Sequence, residues 1–378
     1  MKFNLLKKNK SEVELAKDRI QATINETNIK IEELGENTKI LSDLLFDIQE
    51  LFGKIRKVPY EKRNQFETQK KIRLNWELAA KKIDKDYQEN NIKSIRTGAL
   101  GASVGVTVVT MGPTVAMGIA TTFGVASTGT AISSLSGIAS INAALAWLGG
   151  GTLATGGGGI AAGTLFLSLI GPIGWSISGL AFFTSVSLIF KGKKYKTNIS
   201  NLYKEILERE NKKYELATIE IKERIKRIKD ECKNLGNAIE NIKTFGLDYN
   251  NMTEAQQYKL GTYVNMMKYS TQLLTSSIQS LELNFSIEDY NAFISWSNRK
   301  TDNDICKKYK NCIFLLANRF YNIELDNYNK KYILKWIRSN KNDLEELNIT
   351  KKELNIDIIN AVFEALDYKY LLEKNRKQ

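Results

Sequence analysis

The chain has no histidine among its 378 residues. That absence removes Ser-His-Asp and Cys-His nucleophile pairs and every His-ligated metal site. Cysteine is scarce, at Cys232, Cys306 and Cys312. Cys306 and Cys312 lack the Cys-x-x-Cys pairing of a zinc site, and nothing suggests a disulfide framework. The thiols read as buried and free, which suits a reducing compartment. Proline occurs only at 59, 113 and 172, so helices can run long without interruption. With no convergent carboxylate motif and no cofactor fingerprint either, neither an enzyme nor a cofactor is expected.

The largest absence is of charge. No Asp, Glu, Lys or Arg occurs from 97 to 190, and all 55 basic and 42 acidic residues lie outside that block. Soluble domains need water-compatible side chains on their outward faces, so they do not leave such a run uncharged. A bilayer requires it, since about 20 apolar residues cross the hydrocarbon core. The run is long enough for up to four spans.

Glycine is concentrated in the same block, most densely in WLGGGTLATGGGGIAAG at 147–163. A P-loop reading fails there. Gly151 and Gly156 have the right spacing, but Gly157 and Gly158 stand where Lys and Ser/Thr belong. Gly149, Gly151 and Ala154 fit a dinucleotide fingerprint, yet no acidic ribose partner follows. The glycines at 149–151 (Gly149, Gly150, Gly151) and 156–159 (Gly156, Gly157, Gly158, Gly159) read instead as a reversal at a hairpin tip, free of any charge that would resist lipid. Gly101-x-x-x-Gly105 and Gly159-x-x-x-Gly163 are small-xxx-small patterns that let helices approach closely. Ile160 begins a more hydrophobic stretch containing Leu167 and Trp175, and Trp147 precedes the glycine run. Gly112-Pro113 and Gly171-Pro172 each offer a kink or break within a span.

Basic residues flank the block, with Lys93 and Arg96 before it and Lys191, Lys193, Lys194 and Lys196 after it. Such residues mark the cytosolic or lipid-facing side of a membrane segment. With both edges basic, both ends lie on one side and the number of spans is even. The net charge of +13 favours anionic lipid. No nucleic-acid motif accompanies it. The opening residues MKFNLLKKNKSEVELAKD lack the apolar core of a secretory signal, which predicts synthesis in the cytosol with any export by another route.

Outside the block the sequence is helical in pattern. Val13, Ala16, Ile20, Ile24, Thr27, Ile31, Leu34, Thr38, Leu41, Leu45, Ile48, Phe52 and Ile55 advance by threes and fours as a coiled-coil-like seam, with Gly35 as its weak point. Lys57-Val58-Pro59 interrupts it. A second helix from about Glu61 carries Phe66, Ile72, Trp76, Ala79, Ile83 and Tyr87 on one face. After the block, Ile221, Ile225, Ile228, Cys232, Leu235, Ile239 and Ile242 form another seam that Gly246 closes. Thr253 and Gln256 suggest a capping box opening a helix with Leu260, Val264, Met267, Leu274, Ile278 and Leu281 inward. Beyond Ser286 the helices shorten, and Thr350 with Glu353 suggests a further helix start. Trp296, Phe320, Tyr321, Trp336 and Phe363 are the candidate core there.

The expected fold is all-α: an elongated bundle of long amphipathic helices, a central uncharged Gly-rich hairpin region able to enter a membrane, and a smaller C-terminal helical part. The expected segments are 1–96, 97–190, 191–285 and 286–378. This layout resembles the α-helical pore-forming toxins of the cytolysin A type over roughly residues 11–285, in architecture and without a specific motif. The uncharged block is much longer than a typical toxin tongue, and 286–378 has no obvious counterpart. The resemblance implies a hydrophobic segment masked in a soluble form, insertion into a bilayer, and assembly with copies of itself or with partner subunits. The sequence alone also accommodates a resident bacterial inner-membrane protein with cytosolic helical domains, acting as a sensor, scaffold or abortive-infection effector. On either reading the partner is a lipid bilayer, not a nucleic acid or a small-molecule substrate.

Overall fold

A computed structural model describes residues 12–96, 113–122, 124, 193–281, 284–323, 327–339, 344, 347 and 349–376. Among these residues the fold is all-α, with one isolated bridge between Arg56 and Asp248 and no strand. The long helices are α1 (Glu12–Lys54), α2 (Tyr60–Arg96), α4 (Lys193–Lys243) and α5 (Glu254–Thr275), and a short α3 (Pro113–Thr122) comes from the uncharged block. Shorter helices follow: α6 (Ile287–Ser295), α7 (Asn303–Lys308), α8 (Lys310–Arg319), α9 (Asn327–Ser339) and α10 (Ile356–Arg376). The chain divides into two compact units. One takes Glu26–Ala143 and Glu215–Glu282, the other Met1–Asn25, Ala144–Tyr214 and Leu283–Gln378. The boundaries therefore fall inside α1 and α4.

In the first unit the four long helices pack by their apolar stripes. Ile31, Leu34, Leu41, Leu45, Ile48 and Phe52 of α1 are all buried, because steps of three and four keep them on one face. α2 runs antiparallel to α1. The Phe52 and Phe66 rings stack at 4.6 Å, and Ser42 Oγ donates to Glu77 Oε1 at 2.9 Å. α4 runs parallel to α1, with the Thr27 and Thr218 hydroxyls 2.8 Å apart and Lys222–Glu26 and Lys229–Glu33 pairs at the edge. α5 returns antiparallel to α4, and Ser270 Oγ donates to the buried Glu231 at 2.7 Å. Arg73 was not legible as a core residue, yet it is 2 % exposed. Its Nε donates to Gln49 Oε1 at 2.7 Å, its Nη1 pairs with Glu77, and its guanidinium lies over the Phe46 ring. A charge this deep is tolerated because carboxylate, amide and ring meet it together.

The α1–α2 and α4–α5 turns zip together. Arg56 N–H donates to Leu247 O at 2.8 Å and Tyr249 N–H to Arg56 O at 3.0 Å. Two left-handed residues make the turns, Gly246 (φ 78°) and Lys57 (φ 58°). Lys57 Nζ donates to Asp248 Oδ2 at 2.9 Å. That bond, aided by the Asn250 N–H, holds the Asp248 carboxyl below its ordinary pKa. A lowered folded pKa means that the contact stabilises the fold above the ordinary carboxylate value, about 4. The contribution disappears as pH falls through the folded value. Asp248→Asn is expected to shrink the drop in melting temperature between about pH 5 and about pH 3. Parallel melting curves for the two proteins at both pH values would show that the contact contributes nothing.

The second unit has an aromatic core. Phe285, Phe314, Phe320, Trp336 and Phe363 are buried, and the Phe320 and Phe363 rings lie 5.8 Å apart. Trp296 and Tyr321, expected in this core, are only half-buried. Trp296 stacks on Tyr368 at 4.7 Å, and the Tyr321 hydroxyl reaches the Glu373 carboxylate at 3.1 Å, so each keeps one edge toward polar surroundings. Main-chain groups between the helices are met by side chains. Asn318 brackets Phe285 with bonds of 2.9 and 2.8 Å, and Tyr290 OH donates to Cys306 O at 2.6 Å. Lys369 pairs with Asp289 at 2.7 Å.

The predicted caps fare differently. Thr253 and Gln256 form a capping box at the head of α5. The Thr350–Glu353 pair also bonds reciprocally, but it closes a single turn and opens no helix. Leu354 is fully buried after that turn, and Asn355 Oδ1 then accepts Ile358 N–H to start α10. Tertiary burial of Leu354 overrides the local signal.

Candidate functional site

The described part of the uncharged block is α3, and its seat is the candidate site. Pro113 is the first residue of α3, where its missing N–H has no partner to lose and its fixed φ suits a helix start. It therefore opens a helix and does not kink one. The helix is buried nearly all round after its first turn, at Ala116, Gly118, Ile119, Ala120, Thr121 and Thr122. Gly124 takes a left-handed φ of 65°, and its N–H donates to Thr121 O at 3.1 Å.

Two glycines set the crossing of α3 with α1. A methyl group on Gly35 would lie 1.7 Å from Thr114 O, and one on Gly118 would lie 2.1 Å from Ile31 O. The backbones thus touch at a distance that no side chain permits. Gly35, which breaks the apolar seam of α1, is the cleft that receives α3. Gly236 is also helical, yet a methyl group there would meet nothing within 4 Å.

The far end of α3 is clasped by main chain. Ile278 N–H donates to Thr122 O at 2.7 Å. The clasp segment after α5 is pinned from α4. Arg224 Nη1 donates to Leu273 O at 3.0 Å and Ser276 O at 2.9 Å, and Glu220 accepts Ser280 N–H at 2.8 Å. Burial, with Arg227 adding to it, pulls the Arg224 pKa down, but a guanidinium remains a cation at any physiological pH.

The seat is close to energetic balance. Burying Ile119 contributes about 1.5–3 kcal/mol, and the alanine methyls add about 0.8 kcal/mol each. Against this, the Thr121 and Thr122 hydroxyls are buried and find no hydrogen-bond partner among the described residues. An unsatisfied buried hydroxyl costs about 1–3 kcal/mol. The two costs offset most of the apolar gain, so α3 is held chiefly by close packing and by the Ile278–Thr122 bond.

Of the residues expected to enter the membrane, Pro113 lies in this seat. Gly101, Gly105, Trp147, Gly149, Gly150, Gly151, Gly156, Gly157, Gly158, Gly159, Ile160, Gly163, Leu167, Pro172 and Trp175 lie outside the described residues, as does Lys191. Lys93 and Arg96 occupy the last turn of α2, and Lys193, Lys194 and Lys196 the first turn of α4. Among the described residues no helix is long and apolar enough to cross a membrane. Sequence reasoning missed Gly118, Arg224, Glu220 and the role of Gly35. The visible signal was Thr114-x-x-x-Gly118, a small-xxx-small spacing opposite Gly35 of α1. The chain matches no protein-family model, no curated protein and no solved structure.

Proposed function

We propose that this protein permeabilises lipid bilayers. Its long amphipathic helices form an elongated bundle, and the 97–190 block enters the membrane as a helical hairpin with an even number of spans, in an oligomer of this chain or with partner subunits. It is made in the cytosol, moves from a soluble to an inserted form, and acts without a catalytic step or cofactor. The observation that carries this reading is α3, an uncharged piece of the block held among polar-faced helices by glycine contacts and one main-chain clasp. Such a seat suits a segment that is sheltered first and released later. The flanks support it as well. Lys193, Lys194 and Lys196 gather positive charge in sequence beside the block, where anionic headgroups would attract it.

The test is to lock the clasp. The Ile278–Thr122 bond brings the two main chains close enough for a Thr122→Cys, Ile278→Cys disulfide. Native thiols will not compete at neutral pH. Burial raises the Cys232 pKa to about 11 and that of Cys312 to about 12, and Cys306 is raised too. The protein is expected in the soluble fraction without detergent. The oxidised variant should leave dye-loaded anionic vesicles intact, and reductant should restore leakage. Equal leakage from oxidised and reduced protein would show that α3 need not leave its seat. Recovery only in membranes would favour the resident inner-membrane protein.

A further inference from the structure

In the first unit α1 and α4 share an outer face. The two helices run parallel, and the Thr27 and Thr218 hydroxyls, 2.8 Å apart, set them level. Lys222–Glu26 and Lys229–Glu33 pairs close the seam between them. Outside that seam two isoleucines stand in solvent at one level, Ile29 at 62 % and Ile219 at 58 % exposed. Each begins a stripe of heptad spacing, since residues seven apart fall on one helix face. On α1 the stripe is Ile29, Glu36 and Asp43, and on α4 it is Ile219, Lys226 and Lys233, all exposed.

The two faces carry opposite charge. Between 26 and 47 the exposed charges of α1 are Glu26, Glu32, Glu36, Asp43 and Asp47 against Lys39, which Asp43 pairs at 2.9 Å. Between 216 and 237 those of α4 are Lys222, Lys226, Arg227, Lys229 and Lys233 against Glu223 and Asp230. An acidic helix face beside a basic one is self-complementary, because a two-fold rotation can lay each on the other. The direction of the axis decides what meets. An axis across the helices would set α1 on α1 and α4 on α4, antiparallel, with like charges opposed. An axis along the helices sets α1 on α4 twice, parallel, and keeps every residue at its own level. Ile29 then meets Ile219 of the other copy, Glu36 meets Lys226 and Asp43 meets Lys233.

We infer that a second copy of this chain docks on the α1–α4 face about a two-fold axis parallel to the helices. Two helices over about 21 residues offer a face roughly 32 Å long and 20 Å wide, about 600 Å² per copy, the lower edge of a specific interface. The contact is therefore weak and salt-dependent, with the isoleucine pairs as its apolar centre and the opposed charges fixing its register. The end of α2 at Arg96, where the uncharged block begins, points the same way in both copies. Two blocks then reach one bilayer from one side. Only that consequence rests on the proposed function; the contact itself does not.

The experiment is disulfide crosslinking between copies of the full chain, in buffer and on anionic vesicles. Ile29→Cys and Ile219→Cys proteins, mixed and oxidised, should give a covalent dimer. Either variant alone should give little, because the axis holds identical positions apart. The native thiols, raised by burial, stay protonated at neutral pH. Sedimentation of the parent at about 50 mM salt should show self-association near about 10 µM, weakened about tenfold or more at about 0.5 M salt. Glu36→Lys and Lys226→Glu should each weaken the dimer about tenfold or more, and the chain carrying both should recover it to within about threefold. Both positions are exposed, so these proteins should melt like the parent. No crosslink in the mixture, in either setting, overturns the inference. An equal crosslink from Ile29→Cys alone also overturns it, as does a double variant that fails to recover. A monomer whose melting temperature falls in Glu36→Lys would assign the stripe to a segment of the same chain and overturn it too. Crosslinking in buffer beside vesicles that stay intact would keep the dimer while the permeabilising reading fails, so the two are separable.

Discussion

Gly35→Ala is expected to dislodge α3 while leaving α1 helical. The added methyl would stand 1.7 Å from Thr114 O and 2.9 Å from Gly118 N, and both are backbone atoms. No rotamer change relieves a clash with main chain, so α3 must move as a body. Overpacking of this kind costs about 1–3 kcal/mol, comparable with all that the seat contributes. A unit of this size should lose several degrees in melting temperature. More specifically, the amides of α3 should lose hydrogen-exchange protection while those of α1 retain it. Gly118→Ala should behave alike, with its methyl 2.1 Å from Ile31 O. Gly236→Ala is the control. It lies in open space within α4 and should stabilise the protein by about 0.5–1 kcal/mol, the usual gain from alanine in a helix. If α3 is a masking element, Gly35→Ala should also release vesicle dye sooner than the parent. Unchanged exchange protection of α3 would mean that the crossing is looser than described and is not what holds the segment.

The long seams were legible because a period of 3.6 converts directly into a buried face. Ile20, Ile24, Ile31, Leu41, Leu45, Ile48 and Phe52 were readable from spacing alone, and each is buried. Periodicity does not name the partner, however. It marks Ile225 and Ile228 as inward but is silent on whether α1 runs parallel or antiparallel to α4. Glycine is harder still. Gly35 reads as a gap in a seam, because a residue without a side chain has no hydrophobic signature. Its meaning appears only when Thr114 and Gly118 arrive against it. Arg73 escapes for the opposite reason. A charge inside an apolar stripe looks like an error until Gln49, 24 residues earlier, turns out to face it.

Leu167→Arg is expected to abolish membrane permeabilisation. Leu167 lies in the apolar run LFLSL of the uncharged block, outside the described residues, so the expectation rests on the chemistry of the bilayer. Arginine at the centre of a membrane helix costs about 2.5–3.5 kcal/mol on insertion scales. For a single chain that lowers the inserted population by roughly 50- to 400-fold, and an oligomer bears the cost once per subunit. The block has no acidic residue with which an arginine could pair. The initial rate of dye release from anionic vesicles should therefore fall at least about fiftyfold. Gly157→Arg separates crossing from anchoring. If the glycine-rich tip must pass through the hydrocarbon, it should fail as completely as Leu167→Arg. If the tip stays at the near interface, leakage should persist, since arginine is tolerated among headgroups. The melting temperature of the first compact unit, read by circular dichroism on the same samples, distinguishes lost insertion from lost folding. A Leu167→Arg protein that folds and still empties vesicles at the parental rate would end the pore-forming reading, because a spanning segment does not accept a charge at its centre for nothing.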